Sequence, residues 1–449
     1  MTTPAPPIDP TSAAELGAAL DQFRSLIDPR MLEELQPAGP ASVYTPWVTV
    51  WLLVYQRLNR NATLETAVAE LLQSLESFAV TNKRAREGTL SSRTGSYSRS
   101  RSRLRVDVAD AVADHVSRAV AGTASPSWSG RRVFILDGTT VALSSQKALR
   151  ERWPPGRNQH GENTWPIPLL VVAHELESGA AVRPEIGAMS GANADSELSL
   201  AKQLIGRLPA QSVLMADRNF GVFGFVHAAV AAGHDVLSRL TRPRFESLKK
   251  SAQAAGPGVW TLAWKPTREN RKTDPELAAD ATVAVRLHEF VGTSGETLWV
   301  VTTLAAETDA LAKLYTKRWD VETDIRQLKQ TLQCDALRGQ SESMIRKEVA
   351  IVTVSYNLVV QVRRLAAEQA QVPPRRLSFT GVWNLVTIVL LQPNAWTPEM
   401  WLKKFALVLR GARQKKHPNR PGREYPRQVL QRRRKFPERT RKTPVTDPK

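Results

Sequence analysis

Two short apolar runs, each followed directly by an aspartate, constrain the fold of this chain most. Val133–Leu136 precedes Asp137, and Ser212–Ala216 precedes Asp217. The length and aliphatic content of both runs are typical of buried strands. Helical patterns precede and follow the second run, so the chain is predicted to be an α/β protein. Polar side chains that end neighbouring strands are typical of an active site, although a single aspartate there more often belongs to a turn.

The segment from Glu307 to Leu332 has the periodicity of one long helix. At 100° per residue, its functional side chains fall within a stripe of about 80°, with an apolar stripe beside it. The helix is therefore predicted to pack by one edge and to present a carboxylate flanked by cations on the other. Taken alone, the pattern also fits ordinary ion pairs on a solvated helix. The functional stripe consists of Tyr315, Arg318, Glu322, Arg326 and Lys329.

The two aspartates and the helical glutamate have one joint explanation, which is a metal site. Carboxylate oxygens are the ligands that Mg²⁺ prefers, with Mn²⁺ as a substitute. Two such ions held by Asp137, Asp217 and Glu322 could activate a water and stabilise the leaving oxygen at a phosphodiester. The neighbouring Tyr315 and the cations of the helix would then contact DNA phosphates.

The positive charge of the chain is gathered into two segments. The chain has 62 Lys and Arg against 43 Asp and Glu, a net charge of +19. Lys83–Arg105 contains eight basic residues and one acidic residue, and Gly411–Lys449 contains 14 basic and three acidic residues. Such clustering indicates a polyanionic partner, most simply DNA, although a solvated tail is the alternative for the second segment alone. Arg99, Arg101 and Arg103 alternate with serines in the first segment.

Three sequence blocks carry a resemblance to a known family. Four residues of the long helix have the spacing of a Y-R-E-K signature, with two, three and six residues between them. Upstream, Asp137-Gly-Thr-Thr and Asp217-Arg-Asn-Phe-Gly match two acidic blocks of the same family. Over roughly residues 41–435 the chain resembles the DDE transposases of the insertion-sequence group numbered four. The signature residues are Tyr315, Arg318, Glu322 and Lys329.

The resemblance implies an RNase-H-like catalytic core interrupted by a β-rich insertion. It implies that Asp137, Asp217 and Glu322 bind metal, and that the signature Tyr, Arg and Lys position the DNA end. It also implies cut-and-paste transposition through a hairpin, and two DNA ends held together, hence a homodimer on double-stranded DNA. Arg218 and Arg326 could touch phosphate, and for Arg218 a structural salt bridge is an equal alternative.

The predicted organisation has seven parts, which follow from shifts in composition and periodicity. The basic segment within the helical module is the reason to expect DNA binding there. The parts are a flexible arm (1–40) with a short helix near Ala13–Ile27, a helical DNA-binding module (41–125), the first part of the core (131–240), a β-rich insertion (241–304), the second part of the core (305–370), C-terminal helices (371–410) and a basic tail (411–449).

Cellular location and alternative functions follow from simpler features. The chain has one cysteine, Cys334, and no signal peptide or long apolar run is visible. An intracellular, cytoplasmic protein is therefore expected, and the resemblance implies a bacterial, nucleoid-associated one. Two other functions stay open: a catalytically idle DNA-binding descendant of a transposase, and an RNase-H-like nuclease without strand transfer. The intact carboxylates argue against the first, and joined DNA ends would exclude the second.

Overall fold

One mixed sheet of nine strands runs through the protein, in the order β5-β4-β1-β6-β7-β11-β10-β9-β8. The computed structural model describes residues 13–39, 42–73, 83–123, 125–158, 161–292, 295–390 and 397–418. Residues 1–416 form one compact unit and residues 417–449 a second. The predicted basic tail lies outside the described residues from 419 onward. The strands are β1 (Val133–Thr140), β2 (Arg157–Asn158), β3 (Gly161–Glu162), β4 (Pro168–Glu175), β5 (Ala181–Ala188), β6 (Val213–Ala216), β7 (Asp235–Arg239), β8 (Gln253–Gly256), β9 (Val259–Trp264), β10 (Val283–Val291) and β11 (Thr297–Thr302).

The sheet confirms the predicted α/β class and brings the two aspartates side by side. Strands β1, β4 and β5 form an antiparallel meander, whereas β6 and β7 run parallel to β1. In the parallel pair, Leu136 of β1 lies opposite Ala216 of β6. Asp137 and Asp217 therefore follow paired residues, as their places after similar apolar runs predicted.

The first aspartate lies within its strand and not after the strand's end, which corrects the prediction. Strand β1 continues to Thr140, because Asp137 and the three residues after it pair with β4. Asp137 lies opposite Val172, and Gly138 lies opposite Val171. The Asp-Gly dipeptide suggested a turn, but the antiparallel neighbour supplies the hydrogen bonds that keep the backbone extended.

The strands of segment 241–304 extend the same sheet. Strand β11 pairs antiparallel with β7, and β10, β9 and β8 follow outward as antiparallel neighbours. The segment also contains two short helices, α11 (Arg242–Lys249) and α12 (Arg268–Thr273). Its joint with the rest of the sheet is the pairing of Val300, Val301 and Thr302 with β7. The segment thus occupies one edge of the sheet, on the far side of β7 from the aspartates.

The N-terminal region is helical from Ala13 onward, and its first helix, Ala13–Arg24, lies where a short helix was predicted. Leu20, Phe23 and Leu32 are buried in the main hydrophobic core. The apolar residues of this region recur at helical spacing and cover the core, and residues 1–12 of the predicted arm lie outside the described residues. The helices here are α1 (Ala13–Arg24), α2 (Pro29–Leu35), α3 (Pro46–Leu58), α4 (Leu64–Gln73), α5 (Lys83–Arg86), α6 (Gly95–Arg103) and α7 (Val106–Gly122).

A long central helix, α15, packs against α3, α7, α17 and β5. It begins after Ser341, whose hydroxyl accepts from the Met344 amide as an N-cap. Of the described helices, α15 alone is long and apolar enough to cross a membrane, and 94% of its apolar window is buried inside the protein, as in a core helix. The remaining helices are α8 (Lys147–Arg152), α9 (Glu197–Ile205), α10 (Phe223–Ala231), α11 (Arg242–Lys249), α12 (Arg268–Thr273), α13 (Thr308–Thr316), α14 (Asp320–Arg326), α15 (Glu342–Gln369), α16 (Phe379–Leu385) and α17 (Pro398–Arg413).

The helix predicted from Glu307 to Leu332 is one helical run whose pitch changes twice. A 3₁₀ turn, Lys317–Trp319, joins α13 to α14, and a π-helical turn, Gln327–Thr331, follows α14. A uniform 100° per residue therefore does not describe the run. The π-helical turn contains Lys329, and such turns are frequent at functional sites.

Candidate active site

Asp137 and Asp217 lie in an environment crowded with negative charge. The Asp137 carboxylate accepts from the Gly138 amide at 2.8 Å, and that of Asp217 accepts from the Asn219 amide at 2.8 Å. Burial raises the pKa of Asp137 to about 6, the negative charges of Asp217 and Glu197 add to the rise, and the Gly138 amide and Arg318 oppose it. The two strands thus hold carboxylates close enough to repel each other.

Glu197 is a third carboxylate at this end of the sheet, and the sequence reasoning missed it. It is the first residue of α9, directly after the N-cap Ser196. Its carboxylate lies over Gly138, where an added Cβ would come within 2.1 Å of Oε1. Its other oxygen accepts from the Asn219 side chain at 3.3 Å. An acidic residue in the first turn of a helix looks like a cap in sequence, so only the approach to Gly138 points to a role here.

Tyr315 is buried beside the second aspartate. Its hydroxyl lies 3.5 Å from the Ala216 carbonyl, at the end of β6. Burial raises the pKa of this phenol to about 12, the nearby cations Arg318 and Arg239 lower it, and Asp217 raises it. The phenol therefore stays protonated at neutral pH and can act as a hydrogen-bond donor.

Arg318 interacts electrostatically with both Tyr315 and the carboxylates of the site. Its guanidinium lowers the pKa of both Asp137 and Tyr315, and it lies 3.9 Å from Glu322. The side chain of Arg318 is 11% exposed and that of Glu322 is 42% exposed. The neighbouring Trp319 is exposed, with its ring centre 4.6 Å from the guanidinium carbon. The cation thus offsets several negative groups at once, and its pairing with Glu322 is loose.

Lys329 joins the helical run to the first acidic block. Its ammonium donates to the Thr140 carbonyl at 2.7 Å and to the Thr139 hydroxyl at 3.3 Å. The signature residues therefore lie along β1, from Arg318 near Asp137 to Lys329 at the strand's last residue. The π-helical turn carries the lysine to this contact.

The remaining cations of the prediction, Arg218 and Arg326, have other contacts. Arg218 and Arg326 are exposed. The carbonyl of Arg218 accepts from the Arg244 guanidinium at 3.3 Å, and the Arg326 guanidinium donates to the Thr323 hydroxyl at 3.2 Å. Neither contact connects these two side chains to Asp137 or Asp217. They lie on the protein surface, where a DNA backbone could reach them.

The three arginines of α6 differ in their surroundings. Arg99 and Arg103 are exposed. Arg101 is instead paired with the buried Glu348 at 3.3 Å, and its side chain is 17% exposed. The alternation of arginine and serine made the three residues look equivalent. Helical geometry turns the middle one toward α15, because residues two apart lie on different faces of a helix.

The donor set fits hard metal ions in its chemistry, although it is not assembled into a coordination sphere. Within the described ranges, no three His, Cys, Asp or Glu side chains stand close enough together to hold a metal ion. Burial, and to a lesser degree the charges of Asp217 and Glu197, raises the pKa of Asp137, and a divalent cation would offset that negative charge. The carboxylates of Asp137, Asp217 and Glu322 are of the type that could hold such an ion.

A buried cluster of charged side chains fixes the orientation of α14, and the sequence reasoning missed this cluster too. Asp324 is fully buried, and both its oxygens accept from the Arg375 guanidinium at 2.8 Å. Burial alone would raise the pKa of Asp324, but Arg375, His174 and Arg363 hold it below its usual value. Arg375 also donates to the Leu176 carbonyl at 2.7 Å. The cluster ties α14 to the turn after β4.

Comparison with known proteins agrees with the resemblance found in the sequence. Residues 128–358 match the family described as the transposase DDE domain. The chain is 25% identical over 330 residues to the transposase InsG for insertion sequence element IS4 of Escherichia coli strain K12. The matched residues cover 70% of this chain and 71% of that protein. The matched residues contain the acidic blocks and the whole helical run with the signature. The chain therefore belongs to the family of the transposase DDE domain.

Proposed function

We propose that this transposase cleaves DNA at the ends of its insertion element and joins the freed 3′ ends to target DNA, with Mg²⁺ or Mn²⁺ as cofactor. The observation that carries the proposal is the meeting of three elements. Asp137 and Asp217 follow paired residues of parallel strands, and the signature helix lies along the first of these strands through Lys329. This arrangement gathers acidic and basic groups at one end of the sheet, as phosphoryl chemistry requires.

Asp137, Asp217 and Glu322 would hold the two metal ions. When bound, the ions would lower the pKa of a water and offset the charge of the phosphate. Because the pKa of Asp137 is about 6, this carboxylate is mostly ionised at neutral pH and becomes protonated in mild acid. Metal binding is therefore expected to weaken below pH 6.

The signature cations and the tyrosine would position the DNA end. Arg318, loosely paired with Glu322, would exchange this contact for a phosphate once the glutamate binds metal. Tyr315 keeps its proton and would donate to a phosphate oxygen. Lys329, held beside Thr140, would contact the 5′ phosphate side of the cut. Glu197 would stay at the edge of the site, where it limits the space above Gly138.

The pathway we propose is cut-and-paste through a hairpin. Water breaks one phosphodiester at the element end, and the freed 3′ hydroxyl attacks the opposite strand to close a hairpin. A second water reopens it, and the 3′ ends then attack target DNA. Each joining step exchanges one P–O bond for another, and two element ends held together would require a homodimer. The IS4 relative supports the transposase assignment, and the hairpin step rests on the group resemblance alone.

The fold supports an RNase-H-like core interrupted by an insertion. Strands β5, β4, β1, β6 and β7 are contiguous neighbours, and they belong to the proposed first part of the core, 131–240. Segment 241–304 adds its strands beyond β7, and the second part, 305–370, returns to β1 through α14. A core split in this way would still include the helix with the signature, because that helix packs against β1 even though segment 241–304 separates the two in sequence.

DNA binding would use the helical module 41–125 and the basic tail 411–449, which follows the C-terminal helices 371–410. The exposed Arg99 and Arg103 of α6, with Arg218 and Arg326, are the proposed phosphate contacts. Double-stranded terminal repeats and target DNA would be the partners, in the bacterial cytoplasm. Such contacts supply affinity that falls steeply with salt.

The test uses the purified protein and a duplex that ends in the element's own terminal repeat, with and without Mg²⁺, on a denaturing gel. A nick at the repeat boundary followed by a slow-migrating hairpin, both absent in Asp137→Ala, supports the proposal. Binding without cleavage in Mg²⁺ or Mn²⁺ would identify an idle DNA-binding descendant. Cut DNA without joined ends would identify a nuclease without strand transfer.

A further inference from the structure

Two adjacent charged residues of α15, Lys347 and Glu348, are buried between the basic helix α6 and the end of the catalytic helical run. They are 1% and 4% exposed. Burying charged side chains is costly unless they are paired or hydrogen-bonded. Both residues have partners, and these partners belong to the two regions proposed to touch DNA.

Lys347 binds the C-terminal end of α6. Its ammonium donates to the carbonyls of Arg101 at 2.7 Å and Leu104 at 2.9 Å, and lies 3.4 Å from that of Ser102. The last carbonyls of a helix lack partners within the helix and attract a cation. Lys347 thereby fixes the end of α6 to α15.

Glu348 connects three other segments. One of its oxygens lies 3.3 Å from the Arg101 guanidinium of α6, and the other lies 3.8 Å from the Arg57 guanidinium of α3. The second oxygen also accepts from the Arg338 amide at 2.8 Å, just after the catalytic run. A single carboxylate is thus shared by the basic helix, the helical module and the chain that follows Lys329.

Arg57 completes the connection to the catalytic run. Its guanidinium donates to the carbonyls of Leu332 at 3.3 Å and Gln333 at 2.9 Å. Gln333 adopts the left-handed conformation, with φ of 53°, where the run ends. The arginine therefore holds the end of the helical run that carries Lys329 four residues earlier.

We propose that Lys347 and Glu348 are positioning residues that set the distance between DNA bound on α6 and the phosphodiester that is cut near Lys329. This inference rests on the proposed DNA cleavage. The continuous path runs from Arg101 through Glu348 and Arg57 to the Leu332 carbonyl. Because every link is buried or half-buried and is either a hydrogen bond or an ion pair, α6 and Lys329 have one fixed spacing, which would set the distance between their contacts on the DNA.

The test measures where the element end is cut at nucleotide resolution. Glu348→Gln removes the charge and keeps the shape, so α6 loses its fixed spacing. We expect nicks at neighbouring phosphodiesters in addition to the boundary, and a loss of cleavage rate of roughly threefold to thirtyfold, the range for residues that couple two sites. Asp114→Asn is the matched control, because it weakens the half-buried pair with Arg183 that links α7 to β5. It should leave the cut position unchanged.

A second pair of variants separates positioning from direct DNA contact and from simple destabilisation. Arg101→Gln should spread the cut sites, Arg101→Lys should restore a single site, and neither should change the salt dependence of binding. A direct phosphate contact would instead lower the slope of log K against log salt by roughly 0.9 in Arg101→Gln. Thermal unfolding identifies variants that fail to fold, and if Glu348→Gln is one of them, the Arg101 variants decide.

The outcomes distinguish the inference from the function on which it rests. A single unchanged cut site at the wild-type rate in Glu348→Gln or Arg101→Gln, with an active wild type, would overturn the positioning role alone. A changed salt slope with one cut site would overturn it in favour of direct contact. A wild-type protein that binds the repeat without nicking would overturn the proposed function, and with it the positioning role of Lys347 and Glu348.

Discussion

Glu322 and Asp324 are two carboxylates of the same helix, two residues apart, and they have opposite environments. Glu322 is 42% exposed and lies 3.9 Å from Arg318, whereas Asp324 is fully buried and receives two hydrogen bonds of 2.8 Å from Arg375. The first has both oxygens largely available, whereas both oxygens of the second accept from Arg375. On this helix, the carboxylate that we propose as a metal ligand is the one that the fold leaves loosely paired, and its paired neighbour ties the helix to Arg375.

The largest effect should come from Glu322→Gln. We expect strand cleavage to fall by about a thousandfold or more, the scale of losing an essential catalytic group, because an amide is a poor ligand for Mg²⁺. Binding of the terminal repeat and the free energy of unfolding should change little, since the side chain is exposed. Nicking and gel-shift assays check this. Loss of binding together with cleavage would show that Glu322 supports the fold.

Asp324→Asn should have the opposite effect on stability, which it should lower strongly. We expect the free energy of unfolding to fall by about 3 kcal/mol, the usual cost of breaking a buried ion pair, because the buried Arg363 and the half-buried Arg375 lose this counter-charge, although Arg375 keeps its pair with Asp320. Urea denaturation measures the loss. A change below about 1 kcal/mol would mean that the cluster does not hold the helix.

Asp137→Asn should stabilise the protein while it abolishes cleavage. The pKa of Asp137 is about 6 in the folded protein, above its ordinary value of 3.8. Folding therefore favours the protonated form, and the stability that this form contributes is lost as the pH rises through 6. We expect the variant to gain about 1 kcal/mol at pH 8 and almost nothing at pH 4. Unfolding curves at both pH values check the sign, and an equal gain at both would contradict it.

The smallest effects on stability should come from the exposed arginines of α6. Arg99→Ala and Arg103→Ala should each lower the slope of log K against log salt by roughly 0.9, with unfolding free energies within about 0.5 kcal/mol of the wild type. Titrations of the terminal repeat at several salt concentrations give the slope. A slope that stays constant in both variants would remove α6 from the DNA interface.

Local patterns predicted much of the fold. The apolar runs before Asp137 and Asp217 lie in strands β1 and β6, and the long helix predicted from Ser341 to Gln369 is α15, Glu342–Gln369, with its predicted apolar middle. These patterns depend on residues near one another in sequence, so periodicity is enough to recognise them. The spacing of the signature on one helix is local in the same sense.

Features that depend on distant partners could not be predicted in this way. Strand β1 passes through Asp137 and Gly138 because β4, about 30 residues later, pairs with it. Residues 13–36 are ordered against a core whose other members come from the whole chain. Their pattern predicted a short helix but not its burial, since composition and periodicity report local preference and not what a segment can be buried against.

The sequence by itself determined the family of this protein, because its acidic blocks and its signature are spacings along the chain. Only the tertiary structure decided which charges are available for chemistry. Arg101 is paired and Arg99 is exposed because Glu348, some 250 residues away, faces one and not the other. Glu197 reaches Gly138, and Asp324 meets Arg375, through the same folding. The pairing and burial of a charge are set by partners that only the packed chain brings together.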